Sequence, residues 1–84
     1  MIQEIDLYDE KLKQSIIDMP FKNEISQNDM ILIPESDYGF AEIFRMYDDI
    51  LVFLIPTYGG TPSFYKSYAR HNIHNLITDL KAIT

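Results

Sequence analysis

The segment from Phe40 to Ile55 leaves a chain like this the fewest options. Two strand-like runs, FAEIFRMY and ILVFLI, flank Asp48 and Asp49. Runs rich in β-branched and aromatic residues, joined by two turn-forming residues, predict an antiparallel hairpin. With Asp48 and Asp49 as the turn, Tyr47 faces Ile50. The ladder then continues through Met46 with Leu51, Arg45 with Val52, Phe44 with Phe53 and Ile43 with Leu54. The side-chain period of two sorts these residues into two apolar faces. One collects Phe40, Phe44, Met46, Leu51, Phe53 and Ile55 around Glu42; the other collects Ile43, Tyr47, Ile50, Val52 and Leu54 around Arg45.

The chain beyond Ile55 extends the sheet. Gly59 and Gly60 reverse the chain, and SFYKSY has the aromatic, partly alternating pattern of a third strand. Its register is not fixed by the sequence, since a one-residue slip inverts every side chain. Upstream, MILIP reads as a short strand between the polar stretch FKNEISQND and the turn ESDYG, where Gly39 is free to take a positive φ. Ile5, Tyr8, Leu12, Ile16 and Met19 recur at helical spacing before Pro20, with Asp6, Asp9 and Glu10 suited to a helix start. Ile73, Leu76, Ile77, Leu80 and Ile83 form the clearest amphipathic stripe, with Asn72 as its N-cap. The expected fold is a two-layer α+β domain spanning residues 1–84. It has an N-terminal helix, an antiparallel meander of three to four strands, and a C-terminal helix packed on one face.

Helices over the phenylalanine face would leave the other face open. Ile43, Arg45, Tyr47, Ile50, Val52 and Leu54, with Tyr58, Tyr65 and Tyr68 nearby, are therefore the expected partner-binding residues. The chain carries a net charge of −6. Residues 1–42 hold ten acidic and three basic side chains, against three and four in residues 43–84. Asp6, Asp9, Glu10 and Asp18 mark a second, acidic surface. Phosphate backbones are bound mainly through Lys and Arg, so this balance argues against direct nucleic-acid binding and for a protein partner with a basic surface, or a second copy of the chain. The longest apolar run, Ile50 to Ile55, is far short of the roughly twenty residues of a membrane span, which points to a cytoplasmic protein without a membrane partner.

Catalytic and metal chemistry find little footing. There is no cysteine, which removes disulfides, thiolate metal sites and thiol nucleophiles together. His71 and His74 are spaced for a helical metal pair, but both face away from the apolar stripe and have no acidic cluster to complete a site. Asp48 and Asp49 diverge as turn neighbours rather than sharing a proton. Ser63 and Ser67 have no triad context, and the Gly59-Gly60 pair precedes a strand rather than the helix a phosphate loop needs. No catalytic residue, metal ligand or cofactor is expected.

The order of helix, meander and helix resembles double-stranded-RNA-binding domains and some small acidic phage inhibitors of CRISPR nucleases. No residue motif carries either likeness, and the final helix has only Arg70, His71, His74 and Lys81 where the former have a lysine-rich start. The functional expectation is a small protein-binding module that covers a partner's surface: an inhibitor, an immunity or antitoxin-like protein, or an acidic decoy for a nucleic-acid-binding enzyme. The alternatives are a small-molecule sensor or carrier with a tyrosine-lined pocket and a structural homodimer subunit.

Overall fold

The computed structural model describes residues 4–20 and 29–83. Five strands form one mixed sheet in the order β1-β2-β3-β4-β5. They are β1 (Glu4–Asp6), β2 (Asp29–Leu32), β3 (Tyr38–Met46), β4 (Asp49–Pro56) and β5 (Ser63–Ala69). Helix α1 (Leu12–Ile17) lies between β1 and β2, and α2 (Ile73–Ala82) follows β5 through a 3-10 turn at Arg70–Asn72. The α+β class, the strand at MILIP, the meander and the C-terminal helix are thus present. The FKNEISQND connection falls, apart from Asp29, outside the described residues.

The N-terminal region departs from the expected helix. Ile5 belongs to β1, which pairs in parallel with β2 through Glu4–Met30, Ile5–Ile31 and Asp6–Leu32. Parallel neighbours need a crossover connection, and α1 lies within it. The aspartates that suit a helix start instead hold turns. The Asp6 carboxylate accepts the Tyr8 N–H at 2.8 Å, and the Asp9 carboxylate accepts the Lys11 N–H at 2.8 Å. Such side-chain bonds compete with helix formation, and only six residues are left to α1. Leu7, off the helical stripe, is buried, whereas Tyr8 on it is exposed.

The central hairpin forms one residue earlier than the aspartate pair suggests. Tyr47 and Asp48 make the turn, and Met46 pairs with Asp49, Arg45 with Ile50, Phe44 with Leu51 and Ile43 with Val52. Moving the turn by one residue displaces the ladder by two, so every side chain keeps its face. In the β2–β3 connection Glu35, not Gly39, takes the positive φ, at 56°. Gly39 is already in β3. Gly59 and Gly60 do reverse the chain, with φ of 91° and 126°. A bulge in β5 places Phe64 opposite Phe53 but Lys66 opposite Val52.

Both helices pack on one side of the sheet. Leu12 and Ile16 of α1, and Ile73, Leu76 and Leu80 of α2, share a core with Ile31, Ala41, Ile43, Ile50, Val52, Leu54 and Tyr68. This is the face built around Arg45, whereas the helix-covered face expected from the sequence is the phenylalanine face. The physical reason lies in polar fasteners. The Arg45 guanidinium donates to the carbonyls of Ile17, at 3.1 Å, and Met19, which the end of α1 leaves without helical partners. On the α2 side, the Tyr68 hydroxyl donates to the Asp79 carboxylate at 2.7 Å, and the Lys66 ammonium donates to the same oxygen at 3.1 Å. Asn72 occupies the N-cap position of α2 without a side-chain capping bond.

Candidate functional site

The residues expected to meet a partner are mostly turned inward. Ile43, Arg45, Ile50, Val52, Leu54 and Tyr68 are buried beneath the helices, which corrects their placement on an open face. Tyr65 is half-buried against the same core, with the Lys66 ammonium 5.4 Å from its ring centre. Tyr47 and Tyr58 are exposed, at 78 % and 90 %, but sit in the loops at opposite ends of β4. They do not form one surface.

The acidic residues of the second expected surface sit around α1. Asp6 ends β1, Asp9 and Glu10 lie in the turn before α1, and Asp18 follows α1 and accepts a bond from the Gln14 amide at 2.9 Å. Asp79 is the acidic group with a defined role. The hydrogen bond from Tyr68, and then that from Lys66, hold its carboxyl below the ordinary 3.8. Burial, followed by the bond to Asp79, pushes the Tyr68 hydroxyl well above its ordinary value. This trio clamps α2 to the edge strand β5.

His71 lies in the 3-10 turn and His74 in the first turn of α2, both exposed. Among the described residues, no three His, Cys, Asp or Glu side chains come together as a metal site would need. Asp48, Asp49, Ala69, Arg70 and His71 border an open depression of about 520 Å3 at the hairpin end. The Arg70 N–H donates to the Asp48 carbonyl there at 2.8 Å, joining the end of β5 to the hairpin turn. No described helix is long and apolar enough to cross a membrane.

The opposite side of the sheet carries the larger feature. Strand register places Met30 and Leu32 of β2, Phe40, Glu42, Phe44 and Met46 of β3, Leu51, Phe53 and Ile55 of β4, and Phe64 of β5 on this outer face. Neither described helix covers it. Phe44 and Phe53 meet edge to face at 5.5 Å, and Phe53 meets Phe64 likewise at 5.5 Å. This aromatic row runs from shielded to open: Phe44 is 4 % exposed, Phe53 half-buried and Phe64 58 % exposed. Met46 is 43 % exposed beyond the row. Near the other end of the hairpin, Leu32, Phe40, Ile55 and Pro56 line an apolar groove of about 400 Å3, with Gly39 and Gly59 at its edges. The face therefore offers aromatic rings toward one edge and a notch sized for an apolar side chain at one end.

Sequence reasoning identified the strand members of β3 and β4 as a set but assigned them to the covered side. Arg45 was no signal by itself, since arginine is rarely buried and is common at interfaces; its burial here rests on the Ile17 and Met19 carbonyls. Comparison with known proteins finds no relative: no family model, curated protein or solved structure matches the chain.

Proposed function

We propose that this chain is a protein-binding module that acts by laying the outer, phenylalanine-bearing face of its sheet against a partner protein. The observation that carries this reading is the contiguous apolar surface from Phe64 across Phe53 and Leu51 to Met46, with no described helix over it. Monomers seldom leave apolar patches beyond a few hundred Å2 uncovered, and aromatic side chains dominate the energetic centres of interfaces. The roles that suit so small a module are inhibitor, immunity or antitoxin-like partner, and acidic decoy for a nucleic-acid-binding enzyme. Each works by covering a surface, so none needs a catalytic group.

The test is affinity capture from the native host, comparing the wild-type chain with Phe64→Ser and Leu51→Asp. A Thr78→Ala variant, on the exposed side of α2, serves as control. The expected result is a partner retained by wild type and control and lost from both outer-face variants, each still showing the wild-type circular dichroism spectrum. Equal capture by all four chains would move the interface off this face and overturn the reading.

A further inference from the structure

The outer face is chemically one-sided as well as apolar. Register carries Glu4 and Asp6 of β1 onto it beside Met30 and Leu32, and Asp49 of β4 beside Met46. Glu4 and Asp49 are exposed and Asp6 is half-buried, so carboxylates border the apolar surface along the β1 edge and at the hairpin end. Glu42 also lies on this side, buried within it. The two basic residues of the strands, Arg45 and Lys66, both project to the helix side. The charged strand residues of the outer face are thus all acidic, whereas the helix side holds both basic ones together with the buried Asp29.

Resting on the docking role proposed above, we infer that the occupant of this face is a protein segment or surface with apolar side chains at its centre and Lys or Arg around them, not a second copy of this chain. In a twofold dimer the same patch meets itself, so the strand charges brought together across such an interface would all be negative. Like charges set against each other oppose association, whereas a basic rim would pair with Glu4, Asp6 and Asp49 and guide the encounter. The apolar groove and the open Phe64 ring then receive the central side chains. A partner whose own function rests on a basic surface fits both halves of this description.

The experiment uses two synthetic amphipathic helical peptides with the same leucine pattern, one with lysine and the other with glutamate at every polar position. Each is titrated into methyl-labelled protein. The lysine peptide is expected to bind about tenfold or more tightly than its counterpart. It should shift the methyl signals of Leu32, Leu51 and Ile55 while leaving Ile43, Val52 and Leu76 in place. Phe64→Ser should weaken it about tenfold, and the pair Glu4→Lys with Asp49→Lys should narrow or reverse the preference. If the glutamate peptide binds this face as tightly, or charge reversal changes nothing, the basic partner is wrong while the docking face stands. A dimer seen by sedimentation at micromolar concentration and broken by Phe64→Ser would likewise replace the basic partner with a second copy. If neither peptide moves the outer-face methyls, the docking role falls and the inference with it.

Discussion

Val52 and Leu51 are neighbours in β4, yet Val52 lies beneath two helices and Leu51 on the opposite side, which no described helix covers. The two faces they belong to are both apolar and both hold buried charged residues, Arg45 and Asp29 within one and Glu42 within the other. What separates them is the set of polar groups that can hold a helix. Arg45 supplies donors to the carbonyls at the end of α1, and Tyr68 and Lys66 grip Asp79 on α2. The phenylalanine face offers ring contacts within the sheet instead. Hydrophobicity makes both faces sticky, and directional bonds select which one the helices take.

The sharpest way to break this comparison is to place the same charge on either side. Val52→Asp would bury a carboxylate beneath the helices, where reaching the Lys66 opposite would take that ammonium from Asp79, at a cost of several kcal/mol out of a total stability of about 5 to 10. The expected outcome is an unfolded chain at 25 °C by circular dichroism. Leu51→Asp, one residue away, should remain folded, with its urea midpoint lowered modestly because the new charge reaches solvent. Equal unfolding of both would mean that the outer face is as enclosed as the inner one.

The sorting of side chains between the faces was legible because the period of two survives errors in the turn. Whether Tyr47-Asp48 or Asp48-Asp49 reverses the chain, Ile43 stays with Val52 and Phe44 with Phe53 on their respective sides. Which face meets the helices was not legible, since that depends on Arg45 finding carbonyls contributed by residues 26 and 28 positions earlier. β1 was hidden for a different reason. Three residues, Glu-Ile-Asp, are too few to show alternation, and Ile5 also fits the helical stripe through Leu12 and Ile16. The candidate site inherited the face error: its members were visible as a group, and their exposure was assigned to the wrong group.

Next in size is the fastener on α1. Arg45→Met keeps much of the buried stem while removing the donors to Ile17 and Met19, and should cost about 2 to 3 kcal/mol in chemical denaturation. The loss should fall most on α1, seen as faster hydrogen exchange at Ser15 and Asp18, whose N–H groups bond Lys11 and Gln14 within that helix. A variant as stable as wild type would remove the directional-bond account of why the helices chose this side.

The clamp on α2 is smaller and carries a pH signature. Tyr68→Phe deletes the bond to Asp79 and should cost about 1 kcal/mol near neutral pH. Because the Asp79 carboxyl is held below its ordinary 3.8 in the folded chain, its contribution is complete above that value. It is lost as the pH falls through the lower, folded pKa. The variant should therefore lose stability less steeply on acidification, and the gap in melting temperature from wild type should hold steady above the ordinary 3.8 and narrow as the pH falls below it. A gap that widens toward acid would contradict the assignment of Tyr68 as the main support of that carboxylate.

The smallest expected effect bears most directly on the difference between the faces. Phe64 is 58 % exposed and its one described ring contact is to Phe53, so Phe64→Ser should lower stability by only about 0.5 to 1 kcal/mol. A serine there also leaves the β5 backbone free to keep its pairing, since the Phe53–Phe64 register rests on main-chain bonds shared with β4. Exposure makes the ring cheap to lose in the isolated chain, and the same exposure makes it available to a partner. The two readouts are therefore expected to part: a melting temperature lowered by only a few degrees alongside a strong loss of binding. On the helix side the reverse holds, because there Ile31, Ile43, Ile50, Val52 and Leu54 are already buried by the chain itself. A Phe64→Ser chain that melts more than about ten degrees lower would show that the ring serves the fold, and the outer face would then differ from the inner one in degree rather than in kind.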